Sequence, residues 1–427
     1  MSPLAKDPEQ VARIMLSWHA LDLISCTRLQ TLWAGYGSIC AVQARATTDI
    51  AAKQLSELCG LEPGIAGSTY PLVLKLISPP ANNNNNSDLN DEGHLRKMLS
   101  YEVEQAFYND IVPLLGDDIP VAKCLASTRD MKGQKGAVEL EGLLATLMVD
   151  LSLEFPVSGG KRGALNPRQV HAALDWLARF HRRSWTWLPD SLTRYVLPPT
   201  DEQRKRAKEN GCQEKTTHRG IWLNGGYTYL ATRRREYASL ADDSDSEWSD
   251  LLCQPYCGSS MSAAEMTALF LTPSGRATES YIHGDVKSEN LFTTVTGDRV
   301  AFYDFQYVGL GLGVCDLAKL FTCSVQMTEL VDSKEQLPDR LDMGVGEKRL
   351  LEQYYRTLTQ DQSSDFYEWD SFKRHWETAL VDWCRFQASW GFWGNTNWLE
   401  ARVRSILNDA DWSNWLISTI HAKPLQT

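Results

Sequence analysis

Apolar residues at Val11, Ile14, Met15, Trp18 and Leu21 recur at helical spacing and predict an amphipathic helix within residues 1–24. Such a face ordinarily packs on its own domain. From Thr27 the period shortens. Residues 27–33 and 39–44 read as strands around a turn at Ala34-Gly35-Tyr36-Gly37-Ser38, and 72–77 as a third strand. That run stops at Pro79-Pro80. Residues 80–93, with asparagine at every position from 82 to 86, offer nothing to bury and predict a mobile loop. A helix over 94–111 follows, with Leu95, Leu99, Val103, Ala106 and Phe107 on one face, then strands at 121–127 and 143–149. Turn residues on both sides of Pro156 mark a joint. Beyond it Pro167 stands near a helix start, and Val170, Leu174, Leu177 and His181 form one stripe. The charged stretches 201–215 and 242–250 read as solvated insertions. The pattern predicts an α+β chain: the helix of 1–24, a strand-rich 25–152, and a mainly helical 153–427.

The aromatic positions near the end sharpen this picture. Trp369, Trp376, Trp383 and Trp390 are seven apart, and Phe372, Ala379, Phe386 and Trp393 follow each by three. That is the a/d stripe of one long helix, expected to be a buried seam. Trp390, Phe392 and Trp393 fall where Gly391 and Gly394 end the regular helix, so they are the candidates for a substrate pocket. Lys plus Arg number 43 against 54 Asp plus Glu, a net charge of −11. Such a chain is a poor binder of phosphate backbones, so no nucleic-acid partner is expected. No uninterrupted apolar run reaches about 18 residues, so no membrane partner is expected either. Asp7, Glu9 and Asp22 interrupt any leader-like N-terminus. Ten irregularly spaced cysteines fit reduced thiols and a cytoplasmic location better than a disulfide framework.

The chemistry concentrates in residues 281–306. Apolar runs at 291–295 and 300–305 flank Thr296-Gly297-Asp298-Arg299, a hairpin that delivers Asn290 and Asp304 to the same end of its ladder. Asp285 lies on the loop before it. Two carboxylates and an amide oxygen, with no Cys and few His nearby, form a hard donor set suited to Mg²⁺, which shares its shell with water and phosphate. Phosphoryl transfer asks the protein for metal-held phosphates, a positioned hydroxyl and a group to take its proton.

His283-Gly284-Asp285, Asn290 and Asp304-Phe305-Gln306 resemble the aminoglycoside phosphotransferase and choline kinase-like superfamily, including its ecdysteroid-kinase-like branch. Gly284 and Gln306 depart from the His-Arg-Asp and Asp-Phe-Gly of protein kinases and favour the small-molecule branch, while Lys287 and Glu289 are similar to a protein kinase loop. The resemblance implies a bilobal protein-kinase-like fold: an N-lobe of antiparallel sheet plus one ion-pairing helix, a mainly helical C-lobe, and ATP between them. It implies that Asp285 is the catalytic residue, accepting the proton of the acceptor hydroxyl or orienting it, and that Asn290 and Asp304 hold Mg²⁺. Lys75, fixed by Glu104 (or Glu102 if the helix is shifted), would position the phosphates. Gly35, Gly37 and Ser38 would cover the nucleotide, and the segment 148–151, with Met148 and Asp150, would supply backbone contacts to the adenine. His283 and Asp316 would support the catalytic loop from within, and residues 164–185 would form the first long C-lobe helix. The expected activity is ATP- and Mg-dependent phosphotransfer to a small-molecule hydroxyl. A pseudokinase scaffold is the alternative; a protein kinase lacks its Ala-Pro-Glu segment after Asp304. Aminoglycosides, choline, ecdysteroids and sugars all stay open as acceptors, as does the oligomeric state.

Overall fold

Asp7 opens the first helix of the computed structural model, which describes residues 7–79, 92–188, 191–209, 220–331 and 337–422. Its carboxylate accepts from the Glu9 N–H, and Pro8 occupies the first turn, where a missing N–H loses no hydrogen bond. This helix, α1 (Pro8–Ser17), buries Val11, Ala12, Met15 and Leu16. It is shorter than the apolar stripe suggests. Ala20 turns at φ +53°, and Leu21 starts a strand, so the last apolar residue of the presumed helix belongs to the sheet. The sheet comprises β1 (Leu21–Thr31), β2 (Gly37–Ala46), β3 (Thr69–Ile77), β4 (Cys124–Ser127) and β5 (Leu144–Val149). Its order is β1-β2-β3-β5-β4, with every neighbouring pair antiparallel. Lys75 on β3 faces Ile39 of β2 on one side and Thr146 of β5 on the other.

Two helices accompany the sheet after α1. The sequence pattern did not announce α2 (Asp49–Cys59), which Thr48 caps and Gly60 ends at φ +67°. The other, α3 (Glu92–Ala106), runs into a π turn at Phe107–Ile111. Of the expected mobile loop, residues 80–91 lie outside the described residues, and Glu92 is already in the first turn of α3. Val11, Met15 and Leu16 of α1 share a core with Val42, Leu72, Leu74 and Leu147. These elements make one compact unit ending at Glu154, two residues beyond the expected limit.

The second unit starts at Phe155. It contains β6 (Val157–Ser158), β7 (Ser280–Ile282), β8 (Leu291–Thr293), β9 (Val300–Phe302) and β10 (Gly309–Gly311), in two small sheets ordered β6-β8-β9 and β7-β10. Its helices are α4 (Pro167–Ser184), α5 (Pro199–Glu209), α6 (Arg234–Ala241), α7 (Glu247–Cys253), α8 (Ala263–Leu271), α9 (Val314–Cys323), α10 (Met327–Leu330), α11 (Val345–Thr359), α12 (Trp369–Trp390), α13 (Thr396–Leu407) and α14 (Ala410–Ala422). A full capping box between Asn166 and Gln169 starts α4. The charged stretches are less solvated than their composition suggests. Glu202 of α5 is buried, bonding Arg206 at 2.8 Å and the Leu197 N–H at 3.0 Å. Glu247 and Asp250 belong to α7, which buries Trp248 and ties Glu247 to Arg404. Among the described residues no helix is long and apolar enough to cross a membrane.

The tryptophan stripe lies on α12. Phe372, Trp376, Ala379, Trp383 and Phe386 are buried, whereas Trp390 at its last residue is 57% exposed. Nearby His375 bonds the Tyr367 hydroxyl at 2.7 Å, and burial pulls its pKa down to about 3. In the unfolded chain an imidazole titrates near 6.5. Below that pH the unfolded state binds a proton that the folded state refuses, so stability falls with pH from about 6.5 towards 3, by about 1.4 kcal/mol per pH unit. Denaturant unfolding at pH 7 and pH 5 should show this loss, and His375→Phe should flatten the decline by about one proton.

Candidate active site

The chain leaves β7 at Ile282 and enters His283-Gly284-Asp285. Gly284 has φ +83°, and a Cβ there would lie 2.4 Å from the Tyr307 carbonyl oxygen and 2.6 Å from the Gly226 nitrogen. The long arginine that protein kinases carry at this position has no room. Beneath the turn, Asp316 on α9 accepts from the His283 N–H at 2.7 Å and the Gly284 N–H at 2.9 Å. Its Oδ2 also meets His181 Nε2 of α4 at 3.2 Å, and His181 Nδ1 bonds the Tyr354 hydroxyl. Burial alone would raise the Asp316 pKa, but the His181 hydrogen bond, with the nearby imidazoles and the Lys319 ammonium, brings it below the ordinary carboxylate value. Lys319, one turn along α9, donates to the Gly284 carbonyl.

His283 has both ring nitrogens engaged. Its Nε2 donates to the Tyr303 carbonyl at 2.9 Å, so Nδ1 is the acceptor for the Asp285 N–H at 3.2 Å. The ring packs against Phe302 and Phe305. Burial lowers its pKa, so it sits neutral between two backbone groups and relays no proton.

Asp285 is nearly buried, and its Oδ2 accepts from Lys287 Nζ at 3.0 Å and Asn290 Nδ2 at 3.0 Å. The same amide donates to the Asp285 carbonyl at 2.8 Å. With both amide hydrogens committed, Asn290 presents its Oδ1 as the atom for a cation. Burial lowers the Lys287 pKa, but the Asp285 charge and hydrogen bond, with Glu289 and Asp304, raise it above its ordinary value. The hairpin is shorter than expected because Thr294 and Thr296 bond Asp298 and close the turn early. It still carries the Tyr303 N–H to the Asn290 carbonyl at 3.0 Å. Asp304 comes next, at φ +66°, a left-handed conformation that non-glycine residues adopt mainly where the surroundings impose it. Gln306 Nε2 holds its Oδ1 at 2.6 Å.

Among the described residues no three His, Cys, Asp or Glu side chains gather as a self-sufficient metal cage. One amide oxygen and nearby carboxylates suit instead a hard ion that keeps waters and phosphate oxygens in its shell. The donor set therefore fits Mg²⁺.

A cavity of about 370 Å³ adjoins this loop. Trp390, Phe392 and Trp393 all line it, together with Asp285, Lys287 and Lys319. Sequence reasoning missed Lys319, Arg162 and Tyr227, which share the wall. Lys319 had one signal, its position three residues after Asp316 on a helical face; Arg162 and Tyr227 had none.

In the first unit, Lys75 Nζ meets Glu104 Oε2 of α3 at 2.5 Å, and both are buried. The partner is Glu104, not the fallback Glu102. Gly35 turns at φ +72°, and a Cβ on Gly37 would lie 2.1 Å from the Leu76 carbonyl oxygen. Ser38 is not on the turn: it is buried in β2 opposite Leu76, its hydroxyl 3.7 Å from the Cys40 thiol. Met148 is a buried residue of β5, and Asp150 uses its carboxylate to cap the turn Leu151–Leu153 through the Ser152 N–H. The Ser38 and Asp150 side chains thus have local structural partners.

Residues 100–337 match the model of the phosphotransferase enzyme family. The chain belongs to that family. The match covers the family as a whole and selects no branch of it; Asp285, Asn290 and Asp304 fall inside it. Among solved structures the chain is similar to an ethanolamine kinase of Plasmodium vivax, at 10% identity over 92% of this chain and 84% of that one, TM-score 0.38. It is also similar to a macrolide 2′-phosphotransferase of Brachybacterium faecium, at 11% identity over 98% and 99%, TM-score 0.38. No curated protein matches the chain.

Proposed function

We propose that the chain transfers the γ-phosphoryl group of ATP, with Mg²⁺, to a hydroxyl of a small molecule. The observation that carries this reading is the catalytic loop. Asp285 sits beside Asn290 and the hairpin bearing Asp304, braced by Asp316 and adjoining a cavity large enough for a small acceptor. In the reaction the acceptor oxygen bonds the γ-phosphorus, the bond to the β,γ-bridging oxygen breaks, and its electron pair leaves with ADP. Asp285 orients the hydroxyl and takes its proton. Its Oδ1 accepts nothing from the described residues, whereas Lys287 and Asn290 hold Oδ2 and fix the carboxylate plane. Asn290 and Asp304 would hold the Mg²⁺, which supplies charge neutralisation on the phosphates. Lys75, pinned by Glu104, is the phosphate-positioning lysine of the first unit. The turn at Gly35–Gly37 is the segment assigned to cover the nucleotide; glycine stands at 37 because the β2 backbone passes so close to Leu76. The described cysteines are free, which suits the cytoplasm as the place of action.

Isothermal titration tests the metal assignment. Wild type should bind ATP in the presence of Mg²⁺, and Asp304→Ala should weaken that binding by at least about tenfold while leaving metal-free nucleotide binding little changed. Equal Mg²⁺ dependence in the two proteins would remove Asp304 from the metal site.

A further inference from the structure

The cavity beside Asp285 has a charge that the net −11 of the whole chain conceals. Arg162, Lys287 and Lys319 line it against Asp285 and Glu289. Both carboxylates are turned towards one ammonium: Lys287 Nζ lies 3.0 Å from Asp285 Oδ2 and 3.9 Å from Glu289 Oε1. Lys319 is buried and donates to a neutral carbonyl, that of Gly284. The acidic residues behind it hold other groups as well, although Asp316 offsets part of the Lys319 charge. Asp316 holds the His283 and Gly284 N–H groups and His181, and Asp382 pairs with Arg385 at 2.8 Å. Arg162 stands exposed at the rim, and its guanidinium has no hydrogen bond or ion pair among the described residues.

The aromatic wall has the same bias. A cage of rings attracts a cation through their negative faces, but these rings already serve resident cations. Arg233 lies 4.9 Å over Trp390 and 5.5 Å over Tyr227, while Lys319 is 5.8 Å from both Tyr227 and Trp383. Phe386 also stacks on Trp390 at 6.0 Å. A further ammonium entering this wall would meet like charge at close range. An apolar surface has no such conflict: Trp390 and Phe392 are 57% and 38% exposed.

We infer that the acceptor is an alcohol without positive charge, carrying an apolar face that packs on Trp390 and Phe392 while its hydroxyl meets Asp285. This rests on the phosphotransfer reading above. It sets aside aminoglycosides and choline, which are cations, and retains neutral or anionic hydroxy compounds, for which Arg162 and Lys319 supply favourable charge.

Two measurements test it. The first needs no turnover. The fluorescence lost in Trp390→Phe isolates the Trp390 emission, which can be quenched with iodide or with caesium at equal ionic strength, each scaled to N-acetyltryptophanamide. Iodide should quench at least about twofold more strongly; caesium quenching as strong or stronger would overturn the charge assignment. In the second, a cell extract is split on a strong cation exchanger, and both fractions are incubated with wild-type protein and γ-labelled ATP. Label should enter an alcohol in the unretained fraction. Label only in the retained, cationic fraction would overturn the acceptor class and leave phosphotransfer standing. No label in either fraction would overturn phosphotransfer, and the acceptor class with it.

Discussion

Asp285→Asn should lower kcat by about 10²–10⁴-fold, the usual contribution of a positioned proton acceptor, with Mg–ATP binding retained. The substitution keeps the size of the side chain and removes its charge. Lys287 Nζ and Asn290 Nδ2 both meet Oδ2 at 3.0 Å, so an amide oxygen placed there can still accept from both, with its NH₂ at the Oδ1 position; what it loses is the charge that pairs with Lys287. It also loses the basicity needed to take a proton. Lys287 should then titrate lower, because the Asp285 charge is a main cause of its raised pKa. Single-turnover transfer to an acceptor recovered from extract, alongside nucleotide titration, measures both halves of this expectation. Transfer within tenfold of wild type would mean that Asp285 holds the loop and leaves the chemistry to another group.

The second large effect concerns stability. Asp316→Ala should destabilise the second unit by about 3–5 kcal/mol, the range for breaking a buried charged network by removing one partner. The carboxylate is fully buried and receives two backbone N–H groups and His181. Its loss strands those donors away from water, each at a cost of about 1–3 kcal/mol. It also removes a negative charge that acts on Lys319, one turn along α9. Asp316→Asn retains one acceptor and should cost less. Thermal or urea unfolding followed by Trp fluorescence checks the order: wild type, then Asn, then Ala. If the alanine variant unfolds within about 1 kcal/mol of wild type, water has replaced the carboxylate and the loop is braced by other contacts.

The legibility of this molecule varied with the range over which each feature is encoded. The loop, turn and two short strands from His283 to Asp304 fit within a few tens of residues, so the local rules of hairpins suffice to bring Asn290 and Asp304 to one end. The five-residue spacing of Asp285 and Asn290 likewise closes through a single turn, with Asn290 donating back to the Asp285 carbonyl. The end of α1 is not legible locally, for the converse reason. Leu21 fits the helical stripe as well as it fits a strand, and only pairing with Ala46 across the sheet decides between them. Ser38 and Asp150 show the same limit in the candidate nucleotide site. Their residue types and places in the chain do not state what their side chains bond; the strand register buries Ser38 and a capping hydrogen bond engages Asp150.

By itself the sequence determined the antiparallel small sheet, the helical remainder, the phosphotransferase loop and the buried seam of tryptophans on α12. Periodicity and turn chemistry, which are properties of neighbouring residues, give the strands, the helices, the hairpin and the seam; the antiparallel pairing and the phosphotransferase reading of the loop come from its resemblance to the family. Only the tertiary structure decided that Glu104 rather than Glu102 pairs with Lys75, because both glutamates lie on one short helix and its rotation against β3 selects between them. Only the tertiary structure, too, gathered Arg162, Tyr227 and Lys319 around Trp390 and Asp285. Periodicity states which face of a helix is covered but not what covers it. The sign of charge in a cavity depends on groups separated by more than a hundred residues, and it exists only once the chain has folded.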